Sequence, residues 1–410
     1  MTSVLHLTYD AGRGGAGRAA QRIHAAVLGT GVASVLRAAR TDRNPSATVA
    51  TAWSTRFRYG MRARTEAAIN ALMSTPNAAP RWTAAVPSAW STMINSCPCD
   101  IVHLHWVCGG MMSIEDIGRI RKPIVWTMHD MWPFCGAENI AADERYVAGY
   151  TPRTRPAQER GIDLNAWTWQ RKQRAWRTRF QIVAPSRWMG SCVSRSALMA
   201  EWPVAVVPNP IDTRSWSPRP RDDVRRGLGI AHDERVLCVA GIDGALSPHK
   251  GYDLFTEALP HVARTTPVTV LVIGHSGSWR PRLAGVSFRF LGALHDDAAL
   301  ADAFCAADAM IVPSRIDNLP NTAVEAASCG VPVVAFDIGG LADIVTHGVS
   351  GYLARPFDTA DLATGIDWVL ARAAAGDVGR AARQVAEQRF AMSRVGEQYR
   401  AVYHSVLSRA

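Results

Sequence analysis

Asp317-Asn-Leu-Pro-Asn-Thr-Ala-Val-Glu325 lies between two short apolar runs, Ala309-Met-Ile-Val312 ahead of it and Val331-Pro-Val-Val-Ala-Phe336 behind. Runs of this length and composition read as buried parallel strands, with Asn321–Ser328 as the crossover helix between them. Two acids eight positions apart therefore bracket a strand-to-helix turn at the carboxyl end of a parallel sheet, where open α/β sheets take their ligands. The start of that helix presents backbone N–H groups suited to a diphosphate. The acid one or two turns further in is placed to accept hydrogen bonds from ribose hydroxyls. The stretch reads as a sugar-nucleotide site.

The same alternation extends in both directions. Val4–Thr8, Ile101–Leu104, Ile124–Met128 and Ile182–Ala184 are apolar runs in the first half. Val236–Ala240, Val268–Ile273 and Ser287–Leu291 join the two quoted above in the second. Helical stretches fit between them at Ala16–Leu28, Ile114–Arg121, Tyr252–Ala263, Asp296–Ala306 and Leu341–Val345. Strands alternating with helices point to an α/β chain with parallel sheets. At 410 residues, 48% hydrophobic and 20% charged, the chain is too long for one core and suits two. The proline-rich stretch Val207-Pro-Asn-Pro-Ile-Asp212 and Trp216-Ser-Pro-Arg-Pro220 suppresses helix and strand as a linker does. The expected division is 1–207, 208–390 and a terminal helical segment, 391–410.

No run approaches the length of a membrane span, and no basic n-region precedes the first strand, so a cytosolic chain is expected. The eight cysteines are scattered. Only Cys97 and Cys99 are close, too tight for an easy disulfide, and no second pair stands at metal spacing, so buried reduced thiols are expected. The net charge of +10 favours phosphate-bearing partners. Nucleic acid is not among them, because no recognition motif accompanies the dispersed arginines.

Further stretches complete a pattern: Gly14-Gly15-Ala16-Gly17, His103-Leu-His-Trp106, Thr127-Met-His-Asp-Met-Trp132, Pro185-Ser-Arg-Trp188, Pro208-Asn-Pro-Ile-Asp212, Lys250-Gly251, Gly330-Val-Pro-Val-Val-Ala335 and Gly348-Val-Ser-Gly-Tyr-Leu353. In this order and spacing the chain resembles the retaining glycosyltransferases of family four, and within them the branch of colanic-acid and other exopolysaccharide transferases. The resemblance covers nearly the whole chain. It implies a GT-B fold, two Rossmann-like domains with parallel sheets facing across a cleft, the C-terminal one holding the nucleotide-sugar donor. It also implies a last helix, near Phe390–Leu407, that crosses back to the first domain.

Carried onto this sequence, the resemblance gives Glu325 the ribose and Asp317, one methylene shorter than the family's usual Glu, the transferred sugar. As isolated residues, Glu325 and Asp317 would instead serve a helix end and a turn. Lys250, in Ser247-Pro-His-Lys-Gly251, faces the diphosphate and offsets charge on the leaving nucleotide; its bland reading is a solvated surface lysine. The arginine usual five residues earlier is replaced by Ala245, with Arg315 or His249 as candidates to compensate. Asn318, Leu319, Pro320, Asn321 and Thr322 form the diphosphate-binding turn. Gly14, Gly15 and Ala16 open a helix after the first strand, where small residues let a phosphate or acceptor approach. No acid ends the following strand region, which argues against a dinucleotide fingerprint. His129, at the end of a strand, is placed to bond the donor sugar, or is a core histidine satisfied by Asp130 or backbone. His103 and His105 are expected on opposite faces of their strand, with His105 the one toward the cleft.

The implied reaction moves a hexose-type sugar from a nucleotide sugar to a glycan or polyprenyl-diphosphate-linked acceptor, with retention. No cofactor and no metal are required, since no Asp-x-Asp context is present and a lysine serves instead. A GT-B sugar-nucleotide epimerase and a non-catalytic sugar-nucleotide-binding protein are the alternatives. The tract 153–179 interleaves Trp167, Trp169 and Trp176 with Arg171, Lys172, Arg174, Arg177 and Arg179. Two readings stand for it: a core-facing aromatic stripe with a basic back, or docking to the anionic inner face of the plasma membrane.

Overall fold

The computed structural model describes residues 2–12, 14–41, 48–49, 53–241, 247–262, 267–274, 279 and 281–409. The chain divides into two compact units, one made of Met1–Val207 with Val395–Ala410 and the other of Pro208–Arg394. In the first unit the strands are β1 (Ser3–Ala11), β2 (Ala33–Thr41), β3 (Thr48–Val49), β4 (Met73–Ser74), β5 (Ile101–Leu104), β6 (Ile124–Thr127), β7 (Arg160–Gly161), β8 (Gln181–Ala184) and β9 (Val204–Val206). Seven of them form one sheet in the order β3-β2-β1-β5-β6-β8-β9, every neighbouring pair parallel. Short β4 and β7 pair antiparallel elsewhere.

The second unit contributes β10 (Arg235–Ala240), β11 (Val268–Ile273), β12 (Val286–Gly292), β13 (Ala309–Val312), β14 (Val333–Phe336) and β15 (Gly351–Ala354). Their order is β12-β11-β10-β13-β14-β15, again parallel throughout. Both faces of this sheet are covered, and the period of two decides which side chain goes where. Val236 and Cys238 join the cluster on one face, while Leu237 and Val239 join the other. Strand order reverses between β1 and β5 in one sheet and between β10 and β13 in the other. At such a reversal the loops leaving the two adjacent strands diverge and leave room for a ligand.

Local chemistry sets the element ends. The strand expected from Val331 begins at Val333, because Pro332 has no N–H for the ladder and offers only its carbonyl, to the Met310 N–H. The helix expected to run through Ala263 stops at Ala258. Pro260 turns the chain into a short 3-10 segment, Leu259–His261, and Ala263 itself lies outside the described residues. The helix expected over Ile114–Arg121 ends at Gly118. The chain ends in three helices, Thr359–Leu370, Asp377–Phe390 and the expected last one, Met392–Leu407.

The proline-rich stretch after Val207 is packed, not solvated. Ile211 and Trp216 sit in the core of the second unit, and the Trp216 carbonyl accepts from Arg383 at 2.6 Å and Ser328 at 2.7 Å. The last helix lays Val395, Tyr399, Val402, Tyr403 and Val406 against Val4, Ile101, Val125 and Val183 of the first unit. That i, i+4, i+7 spacing is one apolar stripe. Among the described residues no helix is long and apolar enough to cross a membrane. All eight cysteines are free thiols, and all but Cys97 are buried.

Candidate functional site

Lys250 and Asp317 come from the loops that leave β10 and β13, the two strands flanking the reversal in the second sheet. Lys250 Nζ donates to Asp317 Oδ2 at 2.7 Å, and Ser314 Oγ donates to the same oxygen at 3.2 Å. Two glycines make this approach possible. Gly251 has φ +66°, and a Cβ there would stand 1.9 Å from the Pro313 carbonyl. Gly339 has φ +56°, its Cβ would fall 1.9 Å from the Asp317 carbonyl, and the Gly340 N–H donates to that carbonyl at 3.1 Å. Neither conformation nor space tolerates a side chain.

Glu325 is one turn into the helix Asn321–Ser328 and is only 1% exposed. Pro320 precedes the helix without a side-chain cap. It also lacks an N–H, so within the expected turn the diphosphate donors are limited to its neighbours. Leu319 turns its side chain into the core and has only backbone to offer. Asn321 Oδ1 accepts from Asn209 at 3.3 Å, and the buried Asn209 Oδ1 has no hydrogen-bond partner. Asn209, Ser314 and the Gly339-Gly340 pair were not singled out as site residues in the sequence, although the motif stretches Pro208-Asn-Pro and Pro313-Ser314 contain the first two. Arg315 is committed elsewhere, paired with Asp253 at 2.7 and 2.6 Å, so it does not supply a second cation. Ala245 lies outside the described residues.

The first unit carries a second polar concentration at its own strand reversal. His6 on β1 is in register with His103 on β5. His103 and His105 share a face, contrary to the expectation above: residues two apart on a strand point the same way, and their ring centroids stack 4.3 Å apart. His103 contacts Tyr403 Oη at 2.7 Å and Thr127 Oγ1 at 2.8 Å. His105 Nδ1 meets His129 Nε2 at 3.0 Å. Asp130 accepts from the Trp106 indole at 3.0 Å and the Trp132 N–H at 3.1 Å, and burial raises its pKa to about 6. Gly14 begins the first helix, with Gly15 exposed and Ala16 half-buried; Arg13 lies outside the described residues.

Burial holds the imidazoles neutral. His129 is lowered to about 4, and His6, His103 and His105 lie well below the ordinary histidine range. His24 is also lowered by burial. In the unfolded chain these rings take protons below about pH 6.5 that the folded chain refuses, so stability falls as pH drops through that value. Asp130 and Glu138, raised by burial, keep protons in the folded chain and oppose the trend, but the rings outnumber them. The unfolding free energy from denaturant titrations is expected to be lower at about pH 5 than at about pH 7.5 by roughly 3–6 kcal/mol.

The tryptophan-laced tract resolves to its core-facing reading. In the helix Leu164–Ala175, Trp169 is buried, as is Trp176 just after it, leaving Trp167 as the exposed one at 38%. Two of the three tryptophans of the stripe therefore serve the core. Lys172 is fully buried and donates to the carbonyls of Trp132, Cys135 (3.0 Å) and Gly136 (2.7 Å). Its Nζ also lies 3.9 Å from the Trp132 ring centroid. Burial draws its pKa down to about 7. Three carbonyls use all three donors of an ammonium, so the cage works against that shift.

Family models match both units: Glycosyltransferase Family 4 over residues 13–215 and Glycosyl transferases group 1 over residues 234–372. A protein of Frankia alni named D-inositol 3-phosphate glycosyltransferase is 34% identical over 69% of this chain and 70% of its own. The chain belongs to the group 1, family 4 glycosyltransferases, and its two parallel-sheet α/β units are those of the GT-B fold. It spans 40%, 62% and 45% of the length of three other relatives of the same name. These relatives are named for D-inositol 3-phosphate, not for colanic-acid or other exopolysaccharide synthesis. Among solved structures it is similar to the sucrose-phosphate synthase of Thermosynechococcus elongatus, with a TM-score of 0.70, 16% identity and full coverage of both chains. It is similar also to Anabaena Alr3699/HepE in complex with UDP-glucose, with a TM-score of 0.64, 18% identity, and 99% and 100% of the two chains covered.

Proposed function

We propose that this chain is a glycosyltransferase that moves a hexosyl unit from a nucleoside-diphosphate sugar to a hydroxyl of a glycan or lipid-linked acceptor, with retention and without a metal. The observation that supports this reading best is the Lys250–Asp317 contact of 2.7 Å at the strand reversal beside the helix that carries Glu325. An ammonium has three donors, and Asp317 uses one. The others are directed in this reading to the donor diphosphate, where they offset the charge that grows as the glycosidic C–O bond to phosphate breaks. Asp317 fixes the direction of Nζ. Asn318, Asn321 and Thr322 bind phosphate oxygens, and Glu325 takes the ribose. His129 and the Gly14-Gly15-Ala16 turn, which belong to the first unit, are assigned to the transferred sugar. Family likeness supports retention, and a role in polysaccharide or other glycan assembly follows the same likeness.

A thermal-shift series tests the donor class. UDP-glucose, which the HepE neighbour holds, heads a panel of UDP, GDP, ADP and TDP sugars. A ligand at a hundredfold excess over its Kd stabilises the folded chain by about 2.7 kcal/mol, which is expected to raise Tm by several degrees for one base and not for the rest. Lys250→Ala should abolish the shift. A panel with no shift at all sinks the proposal, and an epimerised nucleotide sugar formed without acceptor would replace it with the isomerase reading.

A further inference from the structure

Three imidazoles of the first unit stand in series. His6 Nδ1 is 3.0 Å from His105 Nε2, and His105 Nδ1 is 3.0 Å from His129 Nε2. In both pairs the ring centroids are 5.3 Å apart and the planes nearly parallel, at 13° and 23°. That separation is close to the longest a 3.0 Å contact between two five-membered rings allows, so each nitrogen points straight at the next. These are collinear N–H···N hydrogen bonds. His6, His103 and His105 also lie close enough to be taken for a cation site. Nitrogens aimed at one another do not converge on a common ion, however, and both nitrogens of His103 are already engaged by Tyr403 and Thr127.

We infer that His6 and His105 are positioning residues that hold His129 in its Nδ1–H tautomer. A neutral imidazole has one donor and one acceptor, so one choice of direction fixes the whole chain. The far end makes that choice. His6 is fully buried, and its Nε2 has no hydrogen-bond partner. A bare buried N–H costs more than a bare lone pair, so the His6 proton sits on Nδ1 and is donated to His105 Nε2. His105 then donates from Nδ1 to His129 Nε2, and the His129 proton is left on Nδ1. β1, β5 and β6 hold the three rings in line, through the pairing His6↔His103 and the contact of His103 with Thr127. The inference rests on the proposed function only for the use made of His129; the tautomer itself is independent of it.

Long-range 1H–15N correlation spectra of histidine-labelled protein read the tautomer directly. In the native sequence His129 is expected as a neutral ring protonated at Nδ1, with Nε2 accepting. His6→Asn, whose amide nitrogen stands near the place of Nδ1, is expected to preserve that state. His6→Leu is expected to leave His129 distributed between tautomers, and to lower kcat/KM about tenfold while His6→Asn restores it. A native spectrum with His129 protonated at Nε2 overturns the inference, whether or not any variant folds. So does stoichiometric zinc in the purified protein that disappears in His6→Leu. A shifted tautomer with unchanged turnover leaves the chain of rings standing and removes His129 from the proposed site.

Discussion

Lys250→Ala is expected to lower kcat/KM by two to three orders of magnitude, about 3–4 kcal/mol of transition-state stabilisation, with no comparable loss of stability. The reasoning is geometric. Lys250 is partly exposed and its ion pair with Asp317 is 30% and 13% accessible, so it contributes little to folding. In the proposed function its task is electrostatic, at the leaving group, where Asp317 directs Nζ. Lys250→Arg is not a conservative rescue, because a planar fork does not replace a compact ammonium. Glu325→Gln should act differently, raising the donor KM more than it lowers kcat, since ribose binding is shared by ground and transition states. Steady-state kinetics on the donor found by thermal shift separate the two. If Lys250→Ala turns over within a few-fold of the native chain, the site assignment is wrong.

The largest effect on stability is expected at Lys172. Lys172→Met should lower the unfolding free energy by about 3–5 kcal/mol, because it leaves three buried carbonyls without a donor. Arg174, two residues on, extends its side chain to Gln170 at 3.3 Å on the exposed face, and Arg174→Ala should stay within about 0.5 kcal/mol of the native value. Guanidinium titrations followed by tryptophan fluorescence read both variants, with the midpoint moving and the slope unchanged. Equal midpoints for the two variants would refute the carbonyl cage around Trp132–Gly136.

Those two lysines mark how far sequence alone reaches here. The fold class was legible because buried parallel strands announce themselves as short apolar runs. Ile101–Leu104, Val268–Ile273, Ala309–Val312 and the helix Asn321–Ser328 coincide with elements of the structure. Strand β9, with two half-buried residues and one exposed, carried no such signal. Lys250 stands in a glycine-flanked loop after a strand, a context with a meaning. Lys172 stands among arginines and tryptophans on a helix, where a caged ammonium and a solvated one look alike until the loop 132–136 is folded over it. The His103–His105 expectation misapplied the period of two, and the tertiary roles of Asn209 and Gly339 have no local signature. Each is defined by a partner distant in the chain.

The last helix has a consequence for how the protein comes off the ribosome. Tyr399 and Tyr403 supply the hydroxyls that Thr127 and His103 bond, yet all of Pro208–Arg394 is translated between these partners. At about 5–20 residues per second, that interval lasts roughly 10–40 s. Throughout it the nascent first unit holds an open apolar seam and unsated imidazoles, closed only when Val395–Val406 emerge.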